Sequence, residues 1–153
     1  PMQLAVMIAR LANGSFAVRP SLQMLRDLPE FEPLGISPAV MRIIGKGMFQ
    51  VTHGSLGTAR NHNLPSRCGG MAGKTGTVQV KRITKEQREA GITKNIERPW
   101  KERDHALFVG YAPVKNPRYA VSVVVEHGGS GSSMAAPIAQ AALQRALMNE
   151  DKV

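Results

Sequence analysis

The amino-acid sequence predicts an α/β fold of the α+β type, in which an antiparallel sheet is flanked by helices. Three runs have the alternating or continuously apolar character of β-strands, and segments on both sides of them carry apolar residues at helical spacing. The strand-like runs are 71–80, 105–112 and 119–126. The helical segments are 1–13, 37–54 and 133–149. A length of 153 residues, of which 42% are hydrophobic, suits one globular domain.

The first two helices have recognisable ends. Asn13-Gly14 is typical of a C-terminal cap for the first helix. Ser37 and Pro38 are typical of the N-cap and the first residue of the second. The connection between them, 19–36, contains prolines and is expected to be irregular. The expected core positions are Leu4, Ile8 and Leu11 in the first helix, and Val40, Ile44, Met48 and Val51 in the second.

The second and third strands are predicted to form a hairpin, because the turn-like segment 113–118 joins them. Both strands are expected to be buried on two faces, since their sequences are almost wholly apolar. The last helix tolerates Pro137 in its first turn. Its expected core positions are Ile138, Ala142, Leu143 and Leu147.

A charged segment, 81–104, separates the first strand from the second. It holds eight Lys or Arg and five acidic residues, and Trp100 is its only aromatic residue. This composition favours an exposed, solvated loop over a binding surface. The formal net charge of +9 indicates an anionic partner, and charge alone does not choose between nucleic acid, an acidic membrane surface and a carboxylate-bearing substrate. Nucleic acid is not predicted as that partner, because aromatic residues are few and neither zinc-finger spacing nor a helix-turn-helix pattern is present.

The stretch CGGMAGKTGT at 68–77 places Lys74 and Thr75 behind glycines, as a phosphate-binding loop does. A P-loop requires four residues between its first glycine and the Gly-Lys-Thr, and Cys68 stands where that glycine belongs. The residues that follow are β-branched and alternating, so Lys74 is predicted to lie on a strand. The sequence therefore does not predict a nucleotide site.

Other patterns that carry chemistry elsewhere are incomplete. Met134 stands where a dinucleotide site needs its third glycine, and Ser133 lacks the following glycine of a hydrolase nucleophile. The four histidines show no metal-ligand spacing. Cys68, the single cysteine, is expected to be a packing residue. Neither a metal ion nor a cofactor is predicted.

Lys74 and its neighbours have a specific physical use on a strand. Gly76 in the strand interior indicates the close approach of a ligand. A bound chain along the strand edge would hydrogen-bond to the backbone, while the hydroxyls of Thr75 and Thr77 held a terminal carboxylate. The ammonium of Lys74 would supply positive potential. The residues thus predict carboxylate capture at a sheet edge.

Five segments of this sequence occur in the same order in a known family of enzymes. They are PMQLA at 1–5, AGKTGTVQV at 72–80, DHALFVGYAP at 104–113, VEHGG at 125–129 and AAP at 135–137. With these segments the chain resembles the class B penicillin-binding proteins, and most closely the penicillin-binding protein 2 branch. Lys74-Thr75-Gly76 corresponds to the K-T-G element of penicillin-recognising serine enzymes. The segments 19–36 and 81–104 match least.

The resemblance implies a serine-type peptidoglycan D,D-transpeptidase. Such an enzyme cross-links stem peptides that end in D-Ala-D-Ala through an acyl-serine, and β-lactams acylate it. The family's site implies that Lys74 organises charge around the serine and that Thr75 and Thr77 bind the carboxylate of the substrate or β-lactam. It also implies that the Thr77 N–H belongs to the oxyanion hole and that Gly76 leaves room for the ligand. The implied location is the periplasmic side of the bacterial inner membrane, with the anchor outside this chain.

The sequence departs from the family in lacking two further motifs. No serine is followed by lysine three residues later, as the nucleophile motif Ser-x-x-Lys requires, and none by asparagine two residues later. Residues 1–153 are therefore expected to be the C-terminal portion of a single transpeptidase domain and to be inactive alone. The nucleophile is expected from the N-terminal part of the same protein.

If the N-terminal part of the domain lies outside this chain, the sheet also lacks the strands which that part supplies in the family. The family's sheet has five strands, so the third predicted strand is expected to lack a neighbour and to expose backbone along 120–125. The remaining N-terminal part of the protein is the expected partner of that edge. The alternative function is that of an interaction or scaffolding segment that contacts other cell-wall synthesis proteins.

Overall fold

The computed structural model describes residues 1–23, 29–91 and 94–150, apart from the side chain of Glu150. The main elements are α1 (Met2–Ala12), α2 (Pro38–His53), β1 (Ala72–Val78), α3 (Lys85–Glu89), β2 (His105–Ala112), β3 (Tyr119–Val125) and α4 (Ala136–Glu150). A π-helical turn, Gly131–Ala135, leads into α4. Within the predicted connection 19–36 and the charged segment 81–104, residues 24–28 and 92–93 lie outside the described part.

The three strands form one antiparallel sheet in the order β1-β2-β3. Gly76 of β1 lies opposite Leu107 of β2, which in turn lies opposite Val124 of β3. Because β2 is central, β1 and β3 are the two edges of the sheet in the described ranges. The predicted antiparallel sheet and its hairpin are confirmed.

Helices cover the sheet on both faces. Phe108 faces α4 and the π-helical turn, whereas Val109 faces α1 and Met48 of α2. Paired residues of antiparallel strands share a face, so Thr75 lies on the side of Phe108 and Lys74 on the side of Val109. β1 therefore lies between two helical layers, with one edge unpaired by the described residues.

The predicted ends of α2 are confirmed. The Ser37 side chain accepts a hydrogen bond from the N–H of Val40, and the helix is followed by Gly54. Ile8 of α1 and Met48 of α2 are buried as predicted, whereas Val40 is exposed in the first turn of α2. None of the helices in the described ranges is both long and apolar enough to cross a membrane.

The core face of α4 differs from the prediction. Ile138 and Ala142 are exposed, and that part of the prediction was wrong. The buried positions are Ala135 in the preceding turn and Ala136, Ala139, Leu143 and Leu147 in the helix. Alanines let the helix approach the sheet closely, so small side chains rather than the larger Ile138 occupy the N-terminal part of the interface.

The prediction of burial on both faces is confirmed for β2 and wrong for β3. Phe108 to Ala112 are all buried, whereas every residue of β3 is half-buried or exposed. The physical reason is position: β2 has a strand on each side and helices on both faces, whereas β3 lies at an edge. Val124, for example, keeps 36% of its surface exposed.

The charged segment 81–104 is more than a solvated loop. Most of its described side chains are exposed, but Arg98 retains only 3% of its surface. Its Nη1 lies 3.1 Å from Oδ1 of Asp104, and its Nη2 donates to the carbonyl oxygen of Lys81 at 2.6 Å. Arg98, through the ion pair and this hydrogen bond together, therefore joins the two ends of the segment, where β1 leaves the sheet and β2 enters it.

The π-helical turn lies directly against the sheet. A Cβ atom at Gly131 would overlap the carbonyl oxygens of Gly76 and Leu107 and would lie 2.9 Å from the amide nitrogen of Gly76. Only glycine permits this approach, because any side chain would push the turn away from both strands. The turn thereby holds β1 and β2 at the Gly76–Leu107 pair.

We expect Gly131→Ala to destabilise the complete protein by about 2 kcal/mol or more, because the backbone must move to relieve the overlap. Gly47→Ala is the matched control, since nothing lies within 4 Å of its Cβ position on α2. Alanine is the better helix former by about 1 kcal/mol. The midpoint of thermal unfolding should fall for the first variant and not for the second; an unchanged midpoint for Gly131→Ala would contradict the close contact.

Candidate active site

β1 carries the predicted site residues Lys74, Thr75, Gly76 and Thr77 on one edge of the sheet, and the prediction that Lys74 lies on a strand is confirmed. Lys74 is exposed, and its Nζ donates to the carbonyl oxygen of Thr75 at 2.6 Å. It forms no ion pair with a residue in 1–23, 29–91 or 94–150. Its positive charge is therefore not neutralised by a neighbouring carboxylate of the described chain.

A groove of about 350 Å³ lies beside Lys74. The last turns of α2 and the loop after it form its walls, through Gln50, Gly54, Ser55, Leu56, Gly57 and Thr58. Leu56 is almost fully exposed, so the groove offers an apolar group as well as an ammonium. A larger groove of about 610 Å³ runs along α1, but it contains none of the predicted site residues.

Thr75 and Thr77 differ in their surroundings. Thr77 is exposed, whereas Thr75 is half-buried and its Oγ1 lies 2.8 Å from Oγ1 of Thr58. The sequence analysis did not identify Thr58. The contact joins residues 17 positions apart, and the only local signal was a polar residue after Gly57 in a loop.

Two hydrogen bonds hold the residue before β1. Thr52 of α2 is buried, and its Oγ1 donates to the carbonyl oxygen of Met71 at 2.6 Å. The N–H of Met71 donates to Oδ1 of Asn63 at 3.2 Å. Gln140 of α4 donates to the carbonyl oxygen of Asn63 at 2.5 Å. Both helical layers thus fix the point at which the site strand begins.

Two other parts of the chain, Leu107 of β2 and Gly131 of the π-helical turn, lie close to Gly76. Its Cβ position is 3.2 Å from Cβ of Leu107, and the backbone of Gly131 contacts it from the π-helical turn. The close approach that a strand glycine indicates is therefore made by this chain's own residues. Room for a ligand at Gly76, and a role for the Thr77 N–H in an oxyanion hole, stay predictions.

The other candidate groups do not gather around Lys74. The N–H of His127 donates to Nδ1 of His105 at 2.9 Å, and His53 stacks on Phe49. Among the described residues no three His, Cys, Asp or Glu side chains form a possible metal site, and no serine hydrogen-bonds to a histidine. Cys68 is buried and free, which confirms that it is a packing residue.

The fold and this edge strand define the class of the protein. The family model of the penicillin binding protein transpeptidase domain matches residues 1–144, and the chain belongs to that family. The chain is 37% identical over 97 residues to the peptidoglycan D,D-transpeptidase MrdA of Haemophilus influenzae, covering 62% of this chain and 14% of that protein. These findings confirm the resemblance to penicillin-binding protein 2-like, class B members and the predicted fold class.

Solved structures agree with this assignment. Penicillin-binding protein 2 of Pseudomonas aeruginosa, in complex with WCK 5153, is 34% identical with a TM-score of 0.62, over 97% of this chain and 29% of that one. The Helicobacter pylori protein, in complex with MreC, has a TM-score of 0.72 and 21% identity over 97% of this chain and 24% of that one, which shows the fold alone. The chain therefore spans less than a third of each relative's length.

Proposed function

We propose that this chain supplies the K-T-G strand to the active site of a serine-type peptidoglycan D,D-transpeptidase on the periplasmic side of the bacterial inner membrane. The proposal rests on Lys74, which is exposed and forms no ion pair with the residues that the structure describes. It lies on an edge strand of a chain whose residues 1–144 match the transpeptidase domain family. The nucleophilic serine lies outside this chain, because neither family serine motif occurs in it.

The chemistry that we assign to β1 is electrostatic. The substrate is a stem peptide ending in D-Ala-D-Ala, whose terminal carboxylate meets the hydroxyls of Thr75 and Thr77. Attack by the serine releases the terminal D-Ala and forms an acyl-serine, which the amine of a second stem peptide resolves. Lys74 organises charge around the serine, and the Thr77 N–H donates to the developing oxyanion. β-Lactams acylate the same serine.

A scaffolding role in a cell-wall synthesis complex is the second candidate. The observation that favours it is the solved complex of Helicobacter pylori penicillin-binding protein 2 with MreC, a protein partner of a relative with the same fold. The charged segment 81–104 offers a surface for such a partner, because most of its described side chains are exposed. The two candidates are compatible within one protein.

We propose that the N-terminal part of the same protein pairs with the exposed edge of β3. Hydrogen exchange tests this pairing. The amides within 120–125 that point away from β2 should exchange slowly with solvent in the complete protein, because a strand from that part pairs with them. In the isolated chain the same edge should cause self-association, which light scattering would detect. A monodisperse isolated chain together with fast exchange of those amides in the complete protein would refute the pairing.

We expect a fluorescent penicillin to label the complete protein covalently and to leave this chain alone unlabelled. The reason is that acylation needs an activated serine, and the chain has none in the required pairing. Labelling is read on a denaturing gel, with the attachment site identified by mass spectrometry. Absence of labelling in the complete protein would reject the transpeptidase proposal, and a stable adduct on a serine of 1–153 would reject the location of the nucleophile.

Lys74→Met in the complete protein should lower the acylation rate by about two orders of magnitude or more, because a preorganised charge is lost from the site. Stability should stay within about 0.5 kcal/mol, since the Nζ bonds only to the adjacent carbonyl group among described residues. The measurements are the second-order rate of penicillin labelling and the unfolding midpoint. Lys81→Met, on the neighbouring charged segment, is the control and should label normally.

A further inference from the structure

Thr58 contacts the site strand from the loop after α2. Its Oγ1 and that of Thr75 are 2.8 Å apart, a normal hydrogen-bond distance for two hydroxyl groups. Either hydroxyl is able to donate, so the direction of the bond depends on what else Thr75 contacts. None of the roles proposed above for the residues of β1 involves this hydrogen bond.

The loop that carries Thr58 is held in place by backbone contacts with α2. The N–H of Ala59 donates to the carbonyl oxygen of Val51 at 2.9 Å, and Ala59 is only 1% exposed. A Cβ atom at Gly57 would lie 2.5 Å from the carbonyl oxygens of Gln50 and Val51, so glycine is required there. Thr58 stands between these two fixed residues, so the backbone determines where its Cβ lies, and the contact with Thr75 selects the rotamer that places its hydroxyl.

The direction of the bond follows from the chemistry of a carboxylate. A carboxylate only accepts hydrogen bonds, and a threonine hydroxyl has a single hydrogen to donate. When Thr75 donates that hydrogen to a ligand carboxylate, the hydrogen between the two threonines must come from Thr58. Donation by Thr58 also polarises the Thr75 hydroxyl, which strengthens its bond to the anion.

We propose that Thr58 is a positioning residue, which orients the hydroxyl of Thr75 toward the carboxylate of the bound stem peptide or β-lactam. The inference rests on the proposed function, because Thr58 acts through Thr75 rather than through the reacting atoms. It adds α2 and its following loop to the parts of the fold that select a ligand with a terminal carboxylate.

A double-mutant cycle in the complete protein tests the inference. The variants are Thr58→Val, Thr75→Val and both together, and the probe is a fluorescent penicillin whose second-order labelling rate is measured. Valine keeps the shape of threonine and removes the hydroxyl. Thr58→Val should lower the rate roughly tenfold when Thr75 is present and less than about twofold in the Thr75→Val background.

Two further variants separate positioning from simple destabilisation. Thr58→Ser keeps the hydroxyl and should restore the rate to within about twofold of the unsubstituted protein. Thr84→Val removes a threonine hydroxyl that caps α3 in the charged segment 81–104, away from β1, and should label normally. All variants are compared by their unfolding midpoints, and Thr58→Val should lower the midpoint by no more than a few degrees, the effect of losing one hydrogen bond, so that the protein stays folded at the labelling temperature.

The possible results distinguish this inference from the proposed function. An equal loss from Thr58→Val in both backgrounds, or no rescue by Thr58→Ser, would overturn the positioning role while leaving the transpeptidase proposal standing. Slow labelling of Thr75→Val together with a normal labelling rate for Thr58→Val would also overturn the positioning role and leave the transpeptidase proposal standing. No labelling of the unsubstituted protein, or normal labelling of Thr75→Val, would remove the role of Thr75 itself, and the inference with it.

Discussion

The packing of Phe108 against two glycines is the constraint on which the position of Lys74 depends. A Cβ atom at Gly73 would lie 2.6 Å from the carbonyl oxygen of Val109 and 2.9 Å from Cε1 of Phe108, and one at Gly110 would lie 2.9 Å from the same ring atom. The fully buried ring therefore takes the space of two side chains. Because Lys74 follows Gly73 directly, this packing fixes the backbone from which the Lys74 side chain extends.

Polar contacts fix the beginning of the site strand as firmly as this packing fixes its middle. Thr52 of α2 and Asn63, which α4 contacts through Gln140, together hold the carbonyl group and the N–H of Met71. The carbonyl group of Met71 is thus satisfied by a side chain of α2, and its N–H by a side chain of the loop between α2 and β1. A displacement of either layer would move β1, so both layers together fix the position at which the strand begins.

The end of the site strand is held by the charged segment. Oδ1 of Asp104 accepts from the N–H of Val80 at 3.3 Å and from Arg98, and the carbonyl oxygen of Asp104 accepts from the N–H of Gly129. Arg103 adds a bond from its Nε to the carbonyl oxygen of Arg98. These bonds join the exit of β1, the entry of β2 and the turn after β3, so a segment of poor sequence match still supports the site.

The sequence by itself determined the order of the three longer helices and the three strands, the caps of α2, the antiparallel sheet and the presence of Lys74 on a strand, but not the short helix α3 within the charged segment. These features depend on local periodicity and on residues such as Ser37 and Pro38, whose effect is felt within one turn. The segments shared with the family also sufficed to identify it. The local pattern was misleading at Ile138, which was predicted to face the core but is exposed. Alanines occupy the buried face of α4 instead, because their small side chains allow the helix to lie closer to the sheet.

Only the tertiary structure decided which distant residues meet at the site. The Thr58–Thr75 bond, the Arg98–Lys81 bond and the approach of Gly131 to Gly76 each join residues that are far apart in sequence, and no periodicity encodes them. It also decided that β3 is an edge and is only half-buried although its sequence is as apolar as that of β2. The physical reason is that burial and hydrogen bonding depend on which neighbours a residue acquires, whereas periodicity records only the side of its own element on which it lies.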